Sequence, residues 1–155
     1  MVRLTRRATF SASHYYWNPK WTEVENHRVF GRCSNRNGHG HNYTLEVTIE
    51  GEPDPVTGFV ADLKWLKELI ERKVLDGWDH HHLVLETEEF AEGKAIPTTE
   101  NLAIAAWRKL ESAVNAASGA RLRAVRIWET PEIYAEYRGP HEEAFLRGVK
   151  FRGES

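Results

Sequence analysis

"HGHNYTLEVTIE", residues 39–50, alternates apolar and polar residues. Tyr43, Leu45, Val47 and Ile49 take the odd positions, and Asn42, Thr44, Glu46, Thr48 and Glu50 take the even ones. That period of two is what a strand with one buried face requires. Residues i and i+2 of a strand project to the same side, so His39 and His41 share the apolar face with Tyr43. An imidazole buried there without a partner is costly. The pair is therefore either a solvated turn around Gly40 or half of a metal site.

The N-terminal stretch "VRLTRRATFSASH", residues 2–14, has the same period. Val2, Leu4, Ala8, Phe10 and Ala12 fall on even positions, and His14 ends the run in the same phase. If the two strands pair antiparallel, His14 becomes the natural third ligand beside His39 and His41. Three imidazoles around zinc with the fourth position open make a catalytic arrangement, because closed structural sites usually use four protein ligands.

Residues 15–38, between the strands, have no clean periodicity, and loops of this length in compact domains are often functional. They contain Cys33, the only cysteine, which excludes an intrachain disulfide. The surrounding "GRCSNRNG" is polar and glycine-rich, which favours a reactive thiol over a core cysteine. Arg32, Arg36 or a metal nearby would lower its pKa from about 8.5 and make it a candidate catalytic base.

Beyond the second strand, "EPDPVTG" is a turn and Asp62 is the expected N-cap of a helix through "LKWLKELIERKVL". Leu63, Leu66, Leu69, Ile70 and Val74 form its apolar stripe. A second irregular stretch, "DGWDHHHLVLETEEFAEGKAIP", places Asp79 beside His80, a pairing suited to acid–base work or simply an exposed histidine-rich loop. The next helix, "TTENLAIAAWRKLESAVNAA", has Thr99 as N-cap, Gly119 as C-terminal cap, and Leu102, Ala106, Leu110, Ala113 and Ala117 on one face. "RLRAVRIWE" and "EIYAEYRG" close the chain as a hairpin around Thr130 and Pro131. Glu129, ending an apolar strand, is either exposed or held in a pocket to accept two parallel hydrogen bonds. The order ββααββ predicts an α+β fold, an antiparallel four-stranded sheet with two helices on one face.

The 155 residues suit a single domain, 1–155, with 41% hydrophobic and 28% charged residues. A formal net charge of −2 offers nothing to attract nucleic acid or an anionic membrane. No apolar run approaches the roughly 20 residues that span a bilayer. "MVRLTRRATF" lacks the apolar core of a signal peptide, so a cytoplasmic location is expected.

Six motifs then occur in a telling order: "FSASH" (10–14), "GRCSNRNGHGHNY" (31–43), "GFVADL" (58–63), "LDGWDHHHL" (75–83), "PTTENLA" (97–103) and "WET" (128–130). Together they resemble the 6-pyruvoyl-tetrahydropterin synthases and, within the same superfamily, the 6-carboxy-tetrahydropterin synthases of the queuosine pathway. The resemblance implies a T-fold, with trimers stacked into a homo-hexamer and active sites between subunits. It implies Zn²⁺ on His14, His39 and His41, Cys33 as catalytic base with Asp79 and His80, and Glu129, Thr99 and Glu100 on the substrate. That substrate is 7,8-dihydroneopterin triphosphate, from which triphosphate is released. The five residues between Cys33 and His39 resemble the pyruvoyl spacing. Two other classes fit some of these residues, a zinc hydrolase or deaminase and a non-catalytic T-fold binding protein. Common deaminases need a C-x-x-C pair, which a chain with one cysteine lacks. Retention of Cys33, Asp79 and His80 argues against mere binding.

Overall fold

Strands β1 (Val2–His14) and β2 (His39–Gly51) pair antiparallel along their whole length, from Val2 opposite Gly51 to His14 opposite His39. The computed structural model describes residues 1–117 and 119–140, so the end of the expected domain, 141–155, lies outside the described residues. Between β1 and β2 come α1 (Glu23–Phe30) and a 3₁₀ turn (Gly31–Ser34). After β2 follow α2 (Leu63–Ile70), a wider helical turn (Glu71–Leu75) and α3 (Asp76–Trp78), which together form the helix expected from Asp62 onward. Then come β3 (His81–His82), α4 (Leu83–Glu86), α5 (Thr99–Ala116), β4 (Ala120–Thr130) and β5 (Ile133–Tyr137).

The sheet order is β3-β1-β2-β4-β5. It has five strands, not the expected four, because His81 and His82 pair in parallel with Ala12 and Ser13. This strand is two residues long, too short to show a period. The two long helical segments form where predicted, except that α5 ends at Ala116, so Ala117 stands beyond its apolar face. They cover one face, where Tyr43, Leu45, Val47 and Ile49 of β2 and Val125 and Ile127 of β4 are fully buried against Leu66, Ile70, Leu102 and Leu110. Burying each such side chain contributes about 1.5–3 kcal/mol relative to exposure.

Three local expectations are corrected. Leu63 is 48% exposed and stands outside the α2 stripe, which consists of Leu66, Leu69, Ile70 and Val74. Helix side chains lean toward the N-terminus, so a first-turn residue projects past the packed region. The N-cap of α5 is Thr98, whose side chain accepts the Asn101 N–H, and Thr99 is freed for another partner. Its C-cap is Ala117, and Gly119, at φ 84°, turns the chain into β4.

The opposite sheet face is polar without being bare. Glu50 accepts from Arg3 at 2.9 Å and Arg121 at 2.6 Å, and Glu46 accepts from Arg7 at 2.7 Å. These guanidinium groups cover the carboxylates, leaving Glu46 and Glu50 only 9% and 7% exposed.

Candidate active site

The antiparallel register decides the first cluster. His14 is the cross-strand partner of His39, and Ala12 is the partner of His41, so the three imidazoles meet at one end of the β1–β2 pair. Their candidate ligand nitrogens all lie within 4.8 Å of one another. His14 Nε2 faces His39 Nε2 at 3.2 Å. The His14 Nδ1–H donates to the Pro97 carbonyl at 3.0 Å, with the Tyr43 hydroxyl oxygen 3.2 Å away, which turns the Nε2 lone pair toward the other two rings. Burial first, then the neighbouring His39 and His41, pushes His14 down from 6.5 to about 3, so the ring is neutral at physiological pH. Burial also lowers His41, against the opposing pull of Glu129.

His41 Nε2 is buried and has no hydrogen-bond partner. Its approach to Glu129 Oε1, at 3.5 Å, is a contact rather than a hydrogen bond. A buried orphan nitrogen beside two other imidazoles fits a bound cation, and the three histidines can hold a metal ion.

Glu129 lies where β4 changes register between Trp128 and Thr130. Val125 and Ile127 face inward on the same strand, and Glu129, next in that phase, comes within 3.5 Å of His41. Thr99 Oγ1 donates to Glu129 Oε2 at 2.7 Å, so the first turn of α5 fixes the carboxylate. Glu100 is exposed in the same turn. Tyr16, which no sequence motif singles out, packs edge-on against His14 at 4.9 Å. Its place two residues after His14, in the same phase, was the available signal.

Cys33 sits in the 3₁₀ turn, half-buried, and its carbonyl accepts the Tyr16 N–H at 2.7 Å. Burial and the Glu129 carboxylate push its thiol up. The expected cationic surroundings are not formed by Arg36, which is committed to Glu92 and lies over Trp17 at 4.4 Å. Arg28 pairs with Glu25. Arg32 is exposed and has no carboxylate partner among the described residues.

Asp79 and His80 do pair with each other, Nδ1 to Oδ1 at 3.0 Å. They are clipped to β1, since Asp79 Oδ1 accepts the Ser11 N–H at 2.9 Å and the His80 N–H donates to the Ser11 carbonyl at 2.7 Å. The Ser11 N–H, then His80, holds Asp79 below its usual pKa. His80 is the only non-glycine residue at positive φ, 61°, among the described residues, and its side chain is 83% exposed. It lines a depression of about 400 Å³ with Ser11, Ser13, Asn42 and His41. The chain thus brings together His14, His39, His41, Glu129, Thr99 and the Cys33 turn. Among the described residues no hydrogen bond or ion pair joins Cys33 to Asp79 or His80.

Residues 3–140 match the family described as 6-pyruvoyl tetrahydropterin synthase. The chain belongs to this family. It is similar to the 6-pyruvoyl tetrahydrobiopterin synthase of Drosophila melanogaster, 43% identical over 89% of this chain and 80% of the relative. The Homo sapiens enzyme of the same name is 37% identical over 89% of this chain and 92% of its own. The solved structure of Caenorhabditis elegans 6-pyruvoyl tetrahydropterin synthase superposes with a TM-score of 0.82 at 40% identity, covering 89% of this chain and 95% of that one. The pterin synthase T-fold expected from the motifs is therefore the fold of this chain, an α+β sheet with its helices on one face.

Proposed function

We propose that this protein is a zinc-dependent lyase that converts 7,8-dihydroneopterin triphosphate to 6-pyruvoyl-tetrahydropterin with release of triphosphate. The observation that carries the reading is the His14, His39 and His41 cluster set 3.5 Å from a carboxylate that Thr99 already orients. Family membership supplies the reaction class, and the relatives at 37% and 43% identity carry the pyruvoyl name. The Cys33 to His39 spacing favours that product over the 6-carboxy one.

His14, His39 and His41 would hold the zinc. Bound there, zinc would supply Lewis acidity that makes carbon-bound protons of the substrate more acidic and would favour a thiolate nearby. Glu129 accepts two N–H bonds from the aminopyrimidine edge of the pterin, and Thr99 keeps one carboxylate oxygen in place for that purpose. Glu100, at the same helix terminus, borders the substrate. The Cys33 thiolate takes a proton from the substrate side chain onto Sγ. His80, with Nδ1 engaged by Asp79, has Nε2 free to carry a second proton as triphosphate departs. The hydride equivalent is rearranged inside the substrate, so the overall step is redox-neutral. Arg32 is the candidate contact for the triphosphate.

The Asp79–His80 pair is exposed, and among the described residues no hydrogen bond or ion pair ties it to Cys33 of its own chain. This supports a homo-hexamer of stacked trimers, in which a neighbouring copy presents its pair to the Cys33 site. Strand β5 is an open sheet edge with Ile133 59% and Tyr134 47% exposed, as an edge used for assembly would be. No helix among the described residues is long and apolar enough to cross a membrane. We read the protein as one cytoplasmic domain, 1–155, acting on a small molecule without nucleic acid or membrane partners.

One preparation of Cys33→Ala tests the assignment through zinc content, pterin binding and triphosphate release. Zinc and pterin should remain bound, and turnover should fall about 100- to 10,000-fold. Release at the parental rate with zinc retained would make the thiol a bystander. Mass spectrometry of the parental product separates pyruvoyl from carboxy chemistry.

A further inference from the structure

We propose that His27 is a positioning residue for Cys33, acting through Ser34 on the turn that carries the thiol. This rests on the reading of Cys33 as the catalytic base. Cys33 lies within the 3₁₀ turn Gly31–Ser34, and His27, in the last turn of α1, bonds to both ends of that turn. At one end the Gly31 N–H donates to the His27 carbonyl, and Gly31, at φ 56°, leads the chain out of the helix. At the other end the Ser34 hydroxyl lies 2.5 Å from His27 Nδ1 and 2.7 Å from the Gly31 carbonyl. Between them the Cys33 carbonyl accepts the Tyr16 N–H at 2.7 Å, which ties the turn to the chain just beyond β1.

Donor arithmetic fixes the direction of these bonds. A carbonyl only accepts, so the single Ser34 hydroxyl hydrogen points to Gly31, and the imidazole bond is donated by His27 Nδ1–H. Ser34 is fully buried, so its oxygen has no solvent to turn to when that donor is removed. The His27 side chain is 52% exposed, with Trp17 nearly perpendicular to its ring at 6.1 Å and Glu23 3.4 Å from Nε2. The ring is therefore no part of the core, and its one short bond is spent on the turn. Among the described residues it makes no hydrogen bond to Cys33, so it neither gives nor takes the substrate proton. What it governs is where the thiol stands, and a displacement of about 1 Å in a reacting group can cost about 100-fold in rate. Glu129 and the three metal-site histidines stand on β1, β2 and β4 and share no bond with His27, so substrate binding and zinc should be spared.

The test compares His27→Leu, which removes the donor at a half-exposed position, with His27→Asn, whose side-chain N–H can meet Ser34 from the place of Nδ1. The readouts are kcat, KM, zinc content, and the rate at which iodoacetamide alkylates Cys33, the only cysteine, in the metal-free protein at one fixed pH. His27→Leu should lower kcat about tenfold or more, with KM within about twofold and zinc unchanged. It should also speed alkylation about threefold or more, because the loosened turn uncovers the thiol. His27→Asn should return both quantities to within about twofold of the parent. Ser34→Ala, which cuts the same bond from the other side, should reproduce the His27→Leu pattern, and combining the two should add less than about twofold, since residues acting through one bond are not additive. Unchanged kcat and alkylation in His27→Leu overturn the proposal. So do a fall in kcat without faster alkylation, a raised KM or lost zinc, an Asn variant no better than Leu, or losses that add fully. If alkylation quickens while kcat holds, the role in catalysis is overturned, and Cys33→Ala shows which reading failed. Parental turnover in Cys33→Ala removes the base itself, whereas lost turnover keeps the base and overturns only the part given to His27.

Discussion

The metal-free protein should lose stability as pH falls through the range in which free histidine titrates, and His14 sets the size of the loss. Its folded value of about 3 lies below the 6.5 of an unperturbed imidazole, because the ring is buried and flanked by His39 and His41. Between those values the unfolded chain binds a proton that the folded chain refuses, so stability rises with pH across the window and falls on acidification. From pH 7.5 to 5.5 the unfolded His14 goes from mostly neutral to mostly charged, which costs the fold about 1.4 kcal/mol. The figure depends only on the folded value lying well below 5.5. For a chain of this size that corresponds to a Tm lower by about 3–6 °C. His41 is lowered by burial as well and adds in the same direction.

The assay compares Tm at pH 7.5 and 5.5 for chelator-stripped wild type and for His14→Leu, which has no proton to take up at this position. The wild type should fall by about 3–6 °C more than the variant. Saturating zinc should raise Tm for the wild type at pH 7.5. Equal pH responses in the two metal-free proteins would show that His14 accepts its proton without unfolding, and the burial argument would fail.

Three further outcomes follow from other parts of the molecule. Glu129→Gln puts an N–H donor where the pterin needs an acceptor, and pterin binding measured by calorimetry should weaken by about 2 kcal/mol or more; unchanged affinity would move recognition elsewhere. Hydrogen bonds from Arg3, then Arg121, bring Glu50 down to about 2, so its contribution is present above about pH 4.5 and is lost as pH falls toward 2. Glu50→Gln should therefore be less stable than wild type at pH 7 in urea, with a gap that narrows by pH 3.5, whereas a constant gap would assign the loss to packing. Gly51→Ala would set a Cβ 2.3 Å from the Gly119 carbonyl oxygen, a backbone atom that cannot swing aside. We expect a loss of about 1–3 kcal/mol in denaturant midpoint measurements, and a neutral result would mean that the β2–β4 end yields easily.

The parts of this site that were legible are those fixed by strand phase. The period that buries Tyr43 and Leu45 also places His41 and His39, and antiparallel pairing with an equally regular β1 brings His14 opposite His39. The long loop was not legible because a polar residue organises it. Asn26 is fully buried, its Oδ1 accepts the Asn18 N–H at 2.7 Å and its Nδ2 donates to the carbonyls of Asn18 and Thr22 at 3.0 Å each, so α1 shows no apolar stripe to read. Strand β3 and the strained His80 depend on Ser11, more than sixty residues away, and no local pattern encodes that contact. The threonine pair at the start of α5 shows why the remaining details needed the fold. Thr98 and Thr99 are chemically equal candidates for the cap, and a one-residue shift changes which hydroxyl points outward. Once β4 lies beside the helix terminus with Glu129 on its bulge, Thr99 gains a charged acceptor at 2.7 Å that Thr98 lacks, and Thr98 takes the neutral cap bond at 3.3 Å. A charge-assisted bond is worth roughly twice a neutral one, so the carboxylate, not helix propensity, decides where α5 begins.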